Sequence, residues 1–333
     1  MNKFFKLSER DRIEIINQTV IHKKLPAEAI EKDVWVTGVL QALFTLPYAK
    51  NLSFKGGTSL SKCYNLIERL SEDIDIAVSR EKPDLTGTNT SIRNKLRRVA
   101  CKFVREELQF DVKKQLENNG INPNHFSVNV NITPITTTDP ETIEVVYHSL
   151  FNNNNYIKPI VKIEVSGRSM SEPLQIVKLQ SIVDEAFVNM PFVNTPFDVN
   201  AVVPQRTFIE KICLLHEEFA KPQKFMRTER MSRHLYDLEK IMDTPIAEEA
   251  LKNKKLYNSV VEHRRIFIGL NGFDYSSLAP HTINIIPPNH IINLWKADYE
   301  TMQGTMIYGD SLPFNELIDR IKQLNERINR IDW

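Results

Sequence analysis

The stretch Phe54-Lys-Gly-Gly-Thr-Ser-Leu-Ser-Lys62, followed closely by Ser71-Glu-Asp-Ile-Asp-Ile76, puts a glycine turn and two alternating carboxylates into one short unit. Gly56 and Gly57 can take backbone angles that other residues avoid, letting main-chain N–H groups approach a phosphate with no Cβ in the way. Thr58 and Ser59 add hydroxyls at the start of an expected helix. That helix would carry Leu60, Tyr64 and Ile67 on one side, turn its positive end toward the same anion, and place Lys62 one turn in. Residues 74–78 read as a strand, so side-chain alternation sends Asp73 and Asp75 to one face and the isoleucines to the other. Two such carboxylates repel each other. A hard divalent cation such as Mg²⁺ relieves that repulsion, and it takes its remaining ligands from water and substrate phosphates.

Each half alone has an ordinary explanation: Gly-Gly before Thr or Ser is a common strand-to-helix turn, and Asp-x-Asp is usually a solvated strand edge. Together and in this order they resemble the polymerase-β-type nucleotidyltransferase signature, with a slightly longer intervening segment than that superfamily's general pattern. The run at 156–165 alternates strongly and sets Glu164 between Ile163 and Val165. As an antiparallel neighbour of the Asp73 strand it would bring a third carboxylate to the other two. In the superfamily a third acid on a later strand completes the metal site. The plain alternative is an edge-strand glutamate facing water.

The chain has 333 residues, enough for two or three units with proper cores, and its 41% hydrophobic and 26% charged content is that of a globular protein. No apolar run approaches the length of a membrane span, and the N-terminus lacks the apolar core of a signal peptide, so a cytoplasmic protein with no membrane association is expected. Cys63, Cys101 and Cys213 are too few and too scattered for a disulfide framework or a zinc site and read as buried thiols. A net charge of +1 excludes a protein coated in basic residues but leaves local patches open.

Along the chain, Ser8 with Asp11 forms a capping box for a helix over 9–20, and Pro26 opens a longer one to about Phe44. These first fifty residues read as a helical preface packed on a catalytic core at 51–167. Beyond the loop marked by Pro83 and Gly87, Ser91 is expected to cap a helix to about 118. Arg93, Arg97, Arg98, Lys102 and Arg105 lie on its exposed side, either as a solvated face or as a seat for a polynucleotide backbone. Strands are expected at 126–134 and 142–147, a turn at Asn152–Asn155, and short strands at 174–178 and 197–203 within irregular structure. Residues 168–333 read as a mainly helical domain: Pro204 opens a helix to about 219, another carries 232–238, and two more lie near 290–302 and 315–331. Lys211 stands near the middle of the first and Arg206 one turn before it; without a motif around it Lys211 would be a snorkelling surface lysine. Arg233 and Asp237 are four apart on one helix face, either contacting base, ribose or phosphate or pairing with each other at the surface. His216 and His234 have no ligand partners at metal-site spacing.

With these segments in order, the chain resembles the AbiEii/AbiGii toxin family of nucleotidyltransferases, the toxin half of type IV toxin–antitoxin and phage-abortive infection systems. The resemblance runs through Glu31-Lys-Asp-Val-Trp35, the glycine and carboxylate stretch, Ile163-Glu-Val165, Pro204-Gln-Arg-Thr-Phe-Ile-Glu-Lys211, Ser232-Arg-His-Leu-Tyr-Asp-Leu238 and Asp298-Tyr-Glu-Thr-Met302, which is nearly the whole chain. It implies an α+β, bilobed protein, with a nucleotidyltransferase domain built on a small mixed sheet before a larger, mainly helical domain. It implies a nucleoside triphosphate substrate, Mg²⁺, an RNA acceptor such as tRNA, and a co-encoded antitoxin that need not bind directly. Carried over by position, Asp73, Asp75 and Glu164 would hold Mg²⁺, with Glu164 as base. Gly56, Gly57, Thr58, Ser59 and Lys62 would cradle phosphates, Lys211 would neutralise charge on the triphosphate, and Arg206, Arg233 and Asp237 would contact the nucleotide. A protein or small-molecule hydroxyl as acceptor, and an NTP-binding regulator without transfer, are the alternatives to RNA.

Overall fold

The computed structural model describes residues 2–71, 73–78, 88–132, 141–151, 157–167 and 173–333. The loop expected around Pro83 and Gly87 and the turn at Asn152–Asn155 lie outside these residues. The chain divides into two compact units: Met1–Cys63 with Leu70–Val202, and Tyr64–Arg69 with Val203–Trp333.

In the first unit, Ser8 caps α1 (Glu9–Lys23) by accepting the Asp11 backbone N–H, and Pro26 precedes α2 (Ala27–Phe44). Strand β1 (Leu52–Lys55) runs into a short helix, α3 (Gly56–Lys62), then β2 (Asp73–Val78). The expected extension of α3 through Tyr64 and Ile67 does not form: the helix stops at Lys62, and Asn65 takes a positive φ of 51° that no right-handed helix accommodates. Next come α4 (Asn89–Phe103), a π-helical turn and α5 (Gln109–Asn118). The cap of α4 is Thr88 rather than Ser91, whose backbone N–H the Thr88 hydroxyl accepts. Strands β3 (Phe126–Asn131), β4 (Glu141–Tyr147), β5 (Ile160–Ser166) and β6 (Leu174–Leu179), helix α6 (Ile182–Ala186) and strand β7 (Phe197–Val202) complete the unit. The seven strands form one mixed sheet in the order β3-β4-β5-β2-β1-β7-β6. Because β7 pairs with β1, this unit runs past the boundary drawn after residue 167, and α1 and α2 are part of the same unit.

One sheet face is apolar: Phe54, Ile74, Ile76, Val161, Ile163, Val165, Ile143 and Val145 are all buried. Helices α2 and α5 pack with strands of this sheet. Glu141 is also buried, its carboxylate accepting from Arg105 Nε at 2.7 Å and from Cys101 Sγ.

Helix α2 carries three consecutive charged residues at buried or half-buried positions, and each ties a different segment. The Glu31 carboxylate accepts from Leu150 N and Ser149 Oγ, and Lys32 Nζ donates to the carbonyls of Lys158 and Ile160. Asp33 uses both oxygens: Oδ1 pairs with Lys62 Nζ and Oδ2 accepts from Ile182 N at the start of α6. Asp33→Ala strands an ammonium whose side chain is only 10% exposed, together with a backbone N–H. We expect a loss of about 3–5 kcal/mol in urea unfolding, most of it absent when Lys62→Met is made as well. Equal losses in both backgrounds would show that the pair contributes nothing.

The second unit consists of α7 (Pro204–Phe219), α8 (Arg233–Ile241), α9 (Pro245–Lys252), α10 (Lys254–His263), α11 (Ile292–Thr305) and α12 (Phe314–Asn329), with the segment Tyr64–Arg69. Pro204 stands at the first position of α7, as its fixed φ favours. The apolar stripe of α12 is core, with Leu317, Ile321, Leu324 and Ile328 inaccessible. His216 accepts the Asn284 N–H at Nδ1, 2.9 Å away, so its proton sits on Nε2, 3.1 Å from Ser277 Oγ. Burial, the larger effect, holds the His216 pKa below its ordinary value, and that of His234 well below. The unfolded chain therefore takes up these protons first as pH falls. Their contribution to stability is whole above about pH 6.5 and declines below it, until the depressed folded values are passed. Urea melts between pH 7.5 and 5 should show this decline, with a shallower slope for His216→Gln; an unchanged slope would assign the effect elsewhere.

Candidate active site

The carboxylates of the first unit are placed by strand register. Asp75 on β2 stands opposite Glu164 on β5 and opposite Lys55 on β1, and Asp73 stands opposite Lys162. Residues directly opposite in a sheet share a face, so Lys55, Asp73, Asp75, Lys162 and Glu164 all project from the face away from the apolar core. All five are half-buried. The β2–β5 pairing is parallel, not antiparallel as expected, but lateral neighbours share a face in either sense, so Glu164 still meets Asp75.

The glycine turn is built against these carboxylates. Gly56 has φ +79°, and a Cβ added to it would lie 1.9 Å from Asp75 Oδ2. Thr58 and Ser59 are buried; the Thr58 hydroxyl donates to the Asp73 carbonyl and shares a 2.6 Å hydrogen bond with Ser71 Oγ. Thr58 thus braces the turn onto β2, and Lys62 is held by Asp33. Gly57 is half-buried beside Gly56.

Three hard oxygen donors on neighbouring positions of one face are the residue types that suit Mg²⁺. Among the described residues no three His, Cys, Asp or Glu side chains are drawn together as a ready-made metal cluster. The fit rests on donor chemistry and register.

The second unit holds a buried charge cluster. Asp237 on α8 is inaccessible, and its Oδ2 is 2.8 Å from Lys211 Nζ of α7. Arg69 grips the same carboxylate with both arms, Nε to Oδ1 at 2.7 Å and Nη2 to Oδ2 at 2.8 Å. Lys211 Nζ also lies 3.3 Å from His234 Nδ1. Burial opposes charge on Asp237, but Arg69 and Lys211 outweigh it and hold its pKa far below the usual carboxylate range. For Lys211 burial dominates, aided by Arg69 and Arg233, and its pKa is lowered despite Asp237. Lys211 is therefore a buried, engaged lysine and not a snorkelling one. The surface pair considered for Arg233 and Asp237 fails because Asp237 is inaccessible. Arg206 is also fully buried, its Nε 2.9 Å from Glu210 Oε1.

The sequence reading missed Arg69, a lone arginine between helix and strand with no periodic signal. It also missed Asp33, which could have been found as a carboxylate in a run of three charges on an otherwise apolar helix.

The first unit thus sets a glycine turn against paired carboxylates on a mixed sheet, and the chain continues into a helical unit. The sequence profile of the nucleotidyltransferase AbiEii toxins of type IV toxin–antitoxin systems matches residues 38–321, and the chain belongs to this family. Among solved structures it is similar to MenT4, a nucleotidyltransferase toxin from Mycobacterium tuberculosis H37Rv, with 17% identity and a TM-score of 0.51 over 98% of this chain and 91% of that one. That likeness is one of fold. No curated protein sequence matches the chain. Among the described residues no helix is long and apolar enough to cross a membrane.

Proposed function

We propose that this nucleotidyltransferase moves a nucleotide from a nucleoside triphosphate to a hydroxyl of RNA, with tRNA as the acceptor, and that an antitoxin encoded alongside restrains it. The observation that carries the chemistry is the contact of the Gly56 turn with the Asp75 carboxylate, which joins a phosphate seat and the paired acids in one piece of structure. Asp73, Asp75 and Glu164 would hold Mg²⁺, which when bound offsets the negative charge of the triphosphate. The Gly56–Gly57 backbone accommodates the phosphates. Glu164 takes the proton of the attacking hydroxyl as that oxygen bonds to the α-phosphorus; the bond to the bridging oxygen breaks and pyrophosphate leaves. Lys211 is read as supplying positive charge to the nucleotide's phosphates, and Arg233, four positions before Asp237 on α8, as a further nucleotide contact.

RNA is favoured because the first unit also carries a basic helix beside β5. Gly167, just beyond Glu164, lies so close to α4 that an added Cβ would be 3.0 Å from Ala100 Cβ and 3.1 Å from Leu96 O. Helix α4 bears Arg93, Lys95, Arg97, Arg98 and Lys102, a charge pattern suited to a phosphodiester backbone. The test is incubation with Mg²⁺, bacterial RNA and each α-[³²P]-NTP in turn. Label on a tRNA-sized band that EDTA abolishes is the expected result. Label on protein or on a small product would replace the acceptor, and NTP binding without label would leave a binding protein.

A further inference from the structure

The six residues Tyr64–Arg69 belong to the helical unit, although the chain on both sides of them belongs to the other. They are sewn in by backbone: the Glu68 carbonyl accepts from Tyr308 N at 3.1 Å and Gly309 N at 3.3 Å, and Arg69 forms a β-bridge with Ile307. Gly309 has no room for a side chain, because an added Cβ would lie 2.0 Å from Glu68 Oε2. The segment delivers one long side chain to the interior. Arg69 is 2% exposed, and its fork takes both oxygens of Asp237.

A fork on a carboxylate fixes its plane as well as its place. Oδ2, fixed in this way, receives Lys211 Nζ, and His234 Nδ1 offers a second acceptor. An ammonium has three protons, and Lys211 has no third acceptor among the described residues. With two directions set by Asp237 and His234, the third N–H has a set direction too. Lys211 is 7% exposed, so that donor has little water to satisfy it.

We propose that Arg69 is a positioning residue: by orienting Asp237 it aims the remaining N–H of Lys211 at a phosphoryl oxygen of the nucleoside triphosphate. This rests on the reading of Lys211 as a triphosphate contact. Without the fork, Asp237 answers to Lys211 alone, and the ammonium collapses onto a carboxylate free to turn.

The test is a kinetic cycle on the full chain, with RNA nucleotide incorporation as the readout. Arg69→Lys keeps the charge and removes the fork. It should lower kcat about 10–100-fold, the scale of a misplacement near 1 Å, with KM for the triphosphate within about three-fold of the parent. In a Lys211→Met background the same change should lower kcat no further. An equal loss in both backgrounds means that Arg69 acts by another route and overturns the proposal, while leaving Lys211 in its role. Full activity of Lys211→Met alone overturns both. A loss confined to KM also overturns the proposal. Should Arg69→Lys not fold, Arg69→Gln, which keeps one donor, enters the same cycle. Should the parent give no label, a crystal structure of Arg69→Lys decides: Lys211 Nζ displaced from Asp237 and His234 supports the proposal, and an unmoved Nζ overturns it.

Discussion

Asp75→Ala gives a folded protein whose nucleotide incorporation is lower by at least about 10²–10³-fold, the range associated with removing one preorganised charge-stabilising group from an active site. Asp75 is the middle of the carboxylate row: Glu164 is its lateral partner on β5, Asp73 precedes it on the same face, and the Gly56 turn lies against it. Of the three acids, Asp75 is the one that both stands opposite another acid of the row and lies against the Gly56 turn. Stability should change little. Asp75 is half-buried between Glu164 on one side and Lys55 on the other, so deleting it removes a repulsion and an attraction together. Thermal melts should therefore show a midpoint close to the parent's, while label from α-[³²P]-NTP disappears. A variant that retains full incorporation would remove Asp75 from the chemistry and the carboxylate row with it.

How much of this could be read from sequence follows the range of each interaction. Alternation within a strand is local, and it placed Asp73 and Asp75 opposite the isoleucines and Glu164 between two buried residues. Helix starts at Ser8 and Pro204 were equally legible, since a cap or a proline acts within one turn. Strand direction was not. Parallel and antiparallel neighbours carry the same alternation, so the sense of the β2–β5 pairing could not be drawn from either run alone. The sheet also reaches β7 because Phe54 meets Ala201, a contact across almost 150 positions. The partners of individual side chains were the least legible. Thr58 and Lys62 follow a glycine turn, and nothing in that turn announces that Thr58 is braced on Asp73 and Ser71 or that Lys62 pairs with Asp33. Asp237, read with Arg233 at helical spacing, is bound to Arg69, 168 positions away. The motif residues could be found in the sequence; of the groups that hold them in place, Asp33 left a signal in a run of three charges and Arg69 left none.

Gly56→Ala should abolish transfer as completely as Asp75→Ala, and its cost in stability can be divided. Gly56 has φ +79°, which an L side chain enters at roughly 1–2 kcal/mol. The new methyl would also lie 1.9 Å from Asp75 Oδ2, 2.7 Å from its Cγ and 3.1 Å from its Cβ. No real Cβ tolerates the first two distances, so either the carboxylate turns out of its row or the turn unwinds from β1. In both cases the phosphate seat and the acid part company. The backbone penalty is independent of Asp75 and the steric one depends on it, so a double-mutant cycle separates them. In an Asp75→Gly background, where all three clashing atoms are gone, Gly56→Ala should cost only the backbone share. The coupling read from urea unfolding should fall within about 0.5–3 kcal/mol, the range of residues in direct contact. Zero coupling would mean that Asp75 does not face the turn, and the phosphate seat would then have to be sought away from the carboxylates. A clear coupling with transfer lost in every variant would show that glycine is required at position 56 because the Asp75 carboxylate occupies the space a side chain would fill.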